Sequence, residues 1–537
     1  MDDFNTPNLV LPMAASYDTR GLDVATNWAN GIDQRKVNLF HRVTQNQATS
    51  AMGVAFVKRN GFTPETWATA NQYAQAASAS CVQYLMARNN ISSTNHPLIF
   101  ATRDGSDVLV QTCNASTGSA VEATIISSTT YTPTHAGSTY INNSEILVMQ
   151  CESPTGGSGR AFFNGPTSTT FTEISASAFT TSAPIGKMEF LDGFAFIMGL
   201  RPGATAINII YNSNINSLTT WVDTNYITKQ VTADRGVGLA KLGKVLLAFG
   251  EYTVECFYNA GNATGSPLAR LPNLATDVGM RAPYRSTNIQ SLGTSYYAVV
   301  NGVLYFVGQQ RVFERGYGAH KKNCALWSFD GASFKKIYDD ALTDLLSTTA
   351  DIFAVGSINV RGTECVYVSL TDASEQSQRW LVISPSEKWW AEYTSDVVQP
   401  INDGVSFLGT TQNSSRRFKQ DIANAVDVDS SLSAHNYEFQ YQFKLPKKNN
   451  ARQSMAWAGV VADSISASAS TTAHGNADLY ISFSDNDYQS FSTPRRIDLT
   501  QRKKQVYRCG SYDDRAVRLV HSGNAECRIQ AFVAKTL

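Results

Sequence analysis

Residues 236–316 read GVGLAKLGKVLLAFGEYTVECFYNAGNATGSPLARLPNLATDVGMRAPYRSTNIQSLGTSYYAVVNGVLYFVGQQRVFERG, and two turn signals divide the stretch. Leu242-Gly243 opens the apolar run Lys244 to Phe249, and Asn301-Gly302 opens Val303 to Val307. Each run has strand length, is followed by a glycine, and leads into a second alternating segment, Tyr252 to Tyr258 and Gln310 to Glu314. Val, Tyr, Phe and Cys at strand period, punctuated by Gly and Asn, specify two antiparallel hairpins.

The same unit, a turn glycine followed by an apolar strand, recurs on either side. Gly193-Phe194, Gly243-Lys244, Gly302-Val303 and Gly362-Thr363 follow one another at intervals of roughly 50 to 60 residues. A repeat of about that length, holding about four short strands, is the mark of a propeller blade. One four-stranded sheet cannot bury both faces alone, whereas a ring of such sheets packs face to face and leaves only short edges. Upstream, CVQYLMARN, PLIFAT and DVLVQTCN from Cys81 read as a three-strand meander, and more strands follow at 145–151, 160–163 and 206–211. Residues 1–60 lack a strong period and carry Pro7, Pro12, Gly21 and Gly31, as an extended arm that leans on other parts of the chain does. The segment 61–80 is read as a loop and strand edge in preference to a short Ala-rich helix. Residues 402–436 are polar and read as a linker or long loop. From Tyr437 clean alternation resumes in YEFQYQFKL, DLYISFSD, VRLVHS and ECRIQAFVA. The expected fold is therefore all-β: an N-terminal extended arm (1–60), a β-propeller-like body (61–436) and a C-terminal β-sandwich-like domain (437–537). The irregular intervals do not fix a blade number.

Composition narrows the function. Of 537 residues only 16% are charged, with 44 basic and 44 acidic, a balance low for a soluble monomer and consistent with surface spent on subunit contacts. The segment from Tyr437 onward carries 14 basic against 9 acidic residues. Eight cysteines stand singly, without C-x-x-C or His at ligand spacing, and read as buried thiols in a reducing compartment. The N-terminus MDDFNTPNLVLPMAAS does not read as a signal peptide, and no apolar run reaches the ~18 residues a bilayer span needs. G-x-S-x-G, Walker, H-E-x-x-H and G-x-G-x-x-G patterns do not occur in the required contexts. No catalytic, metal or cofactor residue is assigned. The acidic pairs Asp339-Asp340, Asp485/Asp487 and Asp513-Asp514 suit turns before they suit glycoside hydrolysis, and Asp485-Asn486-Asp487 suits a turn before it suits a Ca²⁺ site.

The order of motifs in the opening stretch is more specific than any one of them. Phe257-Tyr258-Asn259-Ala260-Gly261, Ser266-Pro267-Leu268, Arg270-Leu271-Pro272, Val278-Gly279 and Ala282-Pro283-Tyr284-Arg285, followed by the second hairpin, resemble the DNA-stabilising tail-hub (nozzle) proteins of short-tailed bacteriophages. Gln34 to Phe40, Gly331 to Leu346, Arg379 to Tyr393 and Asp478 to Asp498 are similar to further segments of that family. Phe491 stands where the family often has Trp, and Asn486-Asp487 where it has paired glycines. The resemblance implies a virion protein of the tail, assembled in the host cytoplasm. It implies a ring of six copies beneath the portal and its adaptor, meeting tail fibre, spike or plug proteins, retaining packaged double-stranded DNA and passing it at ejection, with no cofactor. Asn38, Leu39 and Phe40 of the N-terminal motif, together with the basic clusters Lys321-Lys322, Arg495-Arg496 and Arg502-Lys503-Lys504, become candidates for subunit or partner contacts. A conduit through which DNA slides should not grip it, so these cations are read as contacts or solvated surface, and the lumen as neutral to acidic. The alternative from another class is a propeller-type glycan-binding or glycan-hydrolysing tail protein.

Overall fold

The computed structural model describes residues 7, 9–12, 35–45, 52–64, the strands and short turns between 84 and 231, and 234–537 without 282–295, 311–322, 338–339, 349–350, 372–377, 396, 401–405, 412–413, 422–426, 429–433, 446–451, 466–476 and 524. Among these residues the chain is all-β, built of many antiparallel sheets with one α-helix, Asp340–Thr348.

Between residues 84 and 421 sheet follows sheet, each a meander of sequence-adjacent strands. The first spans Tyr84–Ala87 to Ala120–Ser127 and the second Thr132–Ile141 to Thr172–Glu173. The third holds Pro184–Leu191, Phe194–Leu200, Ile207–Ser213 and Trp221–Thr228; the fourth Gly236–Leu242, Val245–Gly250, Val254–Asn259 and Leu268–Arg270. The fifth centres on Val303–Gln310, flanked by Gly279–Met280 and Tyr297–Val300 on one side and by Asn323–Phe329 and Phe334–Lys336 on the other. The sixth holds Asp351–Val360, Thr363–Thr371, Gln378–Ser384 and Trp389–Thr394. The seventh holds Val397–Pro400, Ser406–Thr411 and Ser414–Asp421, and takes its fourth strand, Gly61–Pro64, from ahead of the first sheet.

The four repeated glycines of the sequence sit in the first hairpin of the third to sixth sheets. The turns are Asp192-Gly193, Gly243-Lys244, Asn301-Gly302 and Arg361-Gly362. In three of them both residues have positive φ, Asn301 and Gly302 at 49° and 75° for instance, the backbone that suits the right-handed twist of the flanking strands.

Successive sheets share cores. Leu246 and Ala248 pack with Leu191, Phe196 and Met198 of the third sheet, while Leu247 and Phe249, on the opposite face of the same strand, pack with Met280, Leu304 and Phe306 of the fifth. Val366 and Val368 likewise face the fifth sheet and Cys365 and Tyr367 the opposite side. A strand buried on both faces has no polar face to show, which is why VLLAF, VLYFV and CVYVSL read as continuous apolar runs. The first strands of neighbouring sheets also lie against one another, from the first to the fourth sheet and again from the fifth to the seventh.

The chain ends are woven together. Arg35–Val37 lies parallel to Trp389–Thr394 and antiparallel to Phe439–Lys444, so the sixth sheet continues through it into Ala516–His521, Asp478–Ser484 and Arg495–Asp498 as one nine-stranded sheet. A second sheet runs Leu39–Gln45, Met52–Lys58, Arg528–Thr536, Gln453–Ala462 and Gln505–Tyr512, with Leu9–Pro12 also on Arg528–Thr536. Leu39, Phe40, Phe56 and Val57 join Phe439, Phe443, Leu519 and Phe532 in a single core between them. The residues expected to form an extended arm thus supply strands to the C-terminal sheets. The polar stretch 402–436 differs from a linker: it contributes two full strands to the seventh sheet and the short pair Asp427–Val428 and Ala434–His435. Ser, Thr, Arg and Lys satisfy a strand's backbone as well as apolar residues do, but leave no hydrophobic period to read.

Candidate functional site

Three clusters of polar side chains stand out, each where separate elements meet. The first joins the chain ends to the body. Asn38 adopts a left-handed φ of 56°, a conformation asparagine tolerates. Its Nδ2 donates to Thr394 Oγ1 at 2.8 Å and to the Glu438 carbonyl at 2.7 Å. Its Oδ1 accepts from Arg59 Nε at 2.8 Å and from the Thr394 amide at 2.9 Å. Arg59 is buried and spends all five N–H groups: on Asn38, the Asn60 and Thr394 carbonyls, and both oxygens of Asp427. Its guanidinium lies 3.7 Å from the Tyr437 ring centroid. Burial opposes the Arg59 charge, but Asp427 together with Tyr437 and Tyr393 offsets it and the pKa is raised. Lys58 beside it donates to the Gly523 carbonyl and sits 4.4 Å from the same ring; burial pushes its pKa down to about 8.

The second cluster lies between the third and fourth sheets. Lys229, fully buried, donates to Asp234 and Thr253, and Asp234 in turn accepts the amides of Tyr252 and Thr253 at 2.8 and 3.0 Å. A Cβ on Gly250 would stand 2.3 Å from the Asp234 carboxylate, so only glycine leaves room. Close by, Glu255 accepts Arg270 Nε at 2.9 Å and the Val231 amide at 2.7 Å, while Arg270 Nη2 reaches the Thr228 carbonyl at 2.7 Å. Arg270, from the ordered motif series, therefore serves a joint between the fourth and third sheets.

The third cluster gathers the first strands of the third, fourth and fifth sheets. Tyr297 Oη donates to Glu189 Oε1 at 2.6 Å, and Lys187 Nζ lies 3.6 Å from that oxygen. Tyr296 Oη accepts the Lys187 amide at 3.0 Å and donates to the Leu239 carbonyl. Burial, then the Glu189 charge, raises both phenol pKa values well above the ordinary range, so both act as neutral donors. The arrangement fixes a carboxylate and a phenol side by side. Sequence reading missed this cluster, because Lys187 and Glu189 lie more than a hundred residues from Tyr296 and Tyr297 and follow no motif.

The residues singled out from the sequence fall in different places. Asn38, Leu39 and Phe40 are buried within this chain. Lys321 and Lys322 lie outside the described residues. Arg496 is paired with Asp478 at 2.7 Å, and Arg495 Nη1 donates to the Arg508 carbonyl at 3.3 Å. Arg502 and Lys503 are exposed, and Lys504 Nζ donates to Ser464 Oγ at 3.0 Å. Of the acidic pairs, Asp485 is held in a fork by Arg515, and Asp487 and Asp514 share Lys444. Those carboxylates are balanced by cations of this chain. No group of three or more metal-capable side chains occurs among the described residues.

No family model and no curated protein matches the chain. Solved structures that match include a polysaccharide lyase of the ulvan lyase type, 9% identical over 65% of this chain and 95% of the other, TM-score 0.34. Others are the Trypanosoma rangeli sialidase in complex with sialic acid, 8% identical over 94% and 95%, TM-score 0.32, and an exo-β-1,3-galactanase from Phanerochaete chrysosporium, 8% identical over 89% and 100%, TM-score 0.28. Scores this low fix neither fold nor chemistry for this chain.

Proposed function

We propose that the seven sheets close as a seven-bladed β-propeller, with Gly61–Pro64 completing the last blade, and that the chain is a structural subunit rather than a catalyst. In this reading it is a tail hub: copies form a ring, six on the family resemblance, beneath a portal and adaptor, hold packaged DNA in, and pass it at ejection. One observation carries the mechanical part. The sixth sheet runs without a break through Arg35–Val37 into the C-terminal sheets, and Arg59 locks the crossing with five hydrogen bonds. A subunit pressed by a confined genome needs its parts to move as one, and continuous hydrogen-bonded sheet resists shear better than a flexible linker does. Head-to-tail contacts between identical copies then close into a ring. Particles assembled without this chain should lose their DNA. Full retention in such particles would overturn the reading.

A second reading is favoured by the third cluster. A glycan-handling propeller would present an acid and an aromatic hydroxyl on strands near its axis, and Glu189 with Tyr297 has that form. Depolymerisation of host polysaccharide by the purified chain, abolished by Glu189→Gln, would establish it in place of the hub.

A further inference from the structure

We infer that the edge of the C-terminal unit formed by Arg502, Lys503, Tyr507 and Arg508 is a binding surface for the phosphate backbone of nucleic acid. Arg495–Asp498 is the last strand of the nine-stranded sheet and Gln505–Tyr512 the last strand of the facing sheet, so the turn between them ends both. That turn is fixed in place. The Leu499 amide donates to the Ala477 carbonyl at 2.9 Å, the Lys504 carbonyl accepts the Val460 amide at 3.0 Å, and Arg495 spans the two edges to the Arg508 carbonyl. Gly459 permits the close approach: a Cβ there would lie 2.3 Å from the Lys504 carbonyl oxygen.

The pairing of charges on this unit is uneven. Arg496, Arg515, Arg528 and Lys444 each hold a carboxylate. Arg502, Lys503 and Arg508 are exposed and hold none among the described residues. The one acid within the run, Asp498, is occupied by the Thr500 amide and hydroxyl at 2.9 and 2.6 Å. Three uncompensated cations on a rigid turn and strand, with an exposed tyrosine beside them, match an anion whose charges repeat along a line. Sequence alone assigned this cluster to subunit contacts or solvated surface. Arg495 and Lys504 beside them donate to the Arg508 carbonyl and to Ser464 and hold no carboxylate either among the described residues, so this edge gathers five cations without an acid to balance them, and that concentration is what separates it from an ordinary charged face.

The full chain and an Arg502→Ala/Lys503→Ala/Arg508→Ala variant are compared by fluorescence anisotropy on a short labelled DNA duplex across a salt series. The wild type should bind with an affinity that falls as salt rises, with a log–log slope of about −2 to −3 for three phosphate contacts. The variant should bind at least about tenfold more weakly with a flatter slope, while Lys444→Ala, which removes a paired cation, should leave binding unchanged. Should the triple variant lose its fold by circular dichroism, the Arg502→Gln/Lys503→Gln variant takes its place. Salt-insensitive or undetectable binding overturns the inference, as does equal binding by the variant. Preference for a sulfated polysaccharide over the duplex in competition also overturns it. The inference does not depend on the hub reading: DNA retention without the chain sinks that reading and leaves this surface standing, and the reverse holds.

Discussion

At the scale of single residues, the ends of the chain are held by buried charge, and such charge makes stability depend on pH. Lys58 is fully buried and its pKa falls from 10.5 to about 8 chiefly through desolvation, with Arg59 pressing the same way and Cys527, Asp427 and Glu438 opposing. A lysine whose folded pKa lies below its unfolded one binds fewer protons in the folded state throughout the window between the two values. Stability therefore rises with pH from about 8 towards 10.5. Burial pushes the Cys527 thiol from 9.0 up to about 12, which lowers stability as pH rises above about 9, and because wild type and the Lys58 variant share this thiol the comparison between them isolates the lysine. Denaturant unfolding of wild type and Lys58→Met between pH 7.5 and 9.5 should show the wild type gaining about 1–2 kcal/mol on the variant. Parallel curves would mean that folding does not lower the Lys58 pKa and that its ammonium stays charged in both states across this window. None of this was legible in the sequence. Asn38, Lys58 and Arg59 look like surface residues on composition, and their burial comes from Asp427 and Tyr437, more than 360 residues away.

At the scale of elements, turn chemistry and two-sided burial made the third to sixth sheets readable. Asp-Gly, Asn-Gly and Arg-Gly turns announce the first hairpin of three of them, and apolar runs the strands that follow. The seventh sheet was not readable, since Ser414–Asp421 is SSRRFKQD and its partner Gly61–Pro64 lies across the whole body. The motif glycines divide by the same physics. A Cβ on Gly279 would stand 2.1 Å from the Glu251 carbonyl carbon and the Tyr252 nitrogen, backbone atoms that cannot turn aside, so Gly279→Ala must separate the fourth and fifth sheets. Gly261, from the same motif series, has open space around it and only a φ of 70° to defend. Gly279→Ala should lower the unfolding free energy by about 3 kcal/mol or more, and Gly261→Ala by about 1 kcal/mol. The denaturant midpoints at constant slope measure both. Similar losses at the two sites would show that the close packing at Gly279 yields without cost.

At the scale of the molecule, the interlocking of the ends decides what folds alone. Reading the sequence from Tyr437 onward suggests a separable domain because its strands alternate so cleanly. Yet one of its sheets is completed by Leu39–Gln45 and Met52–Lys58, and the other is joined to the body through Arg35–Val37. Without those strands, Phe439, Phe443 and Phe532 lose the cover of Leu39, Phe40 and Phe56, and both sheets gain an unpaired edge. An isolated 437–537 fragment should therefore be unfolded or aggregated by circular dichroism and size-exclusion chromatography. A fusion in which residues 35–64 precede it through a flexible linker should recover β-sheet signal and a cooperative melt. For the same reason limited proteolysis of the intact chain should not release 437–537 as a stable core, because cutting in 422–433 leaves the N-terminal strands still bound in its sheets. A well-folded 437–537 fragment would show that the N-terminal strands decorate this unit rather than complete it. The rigidity attributed to the hub would then have to come from contacts between copies.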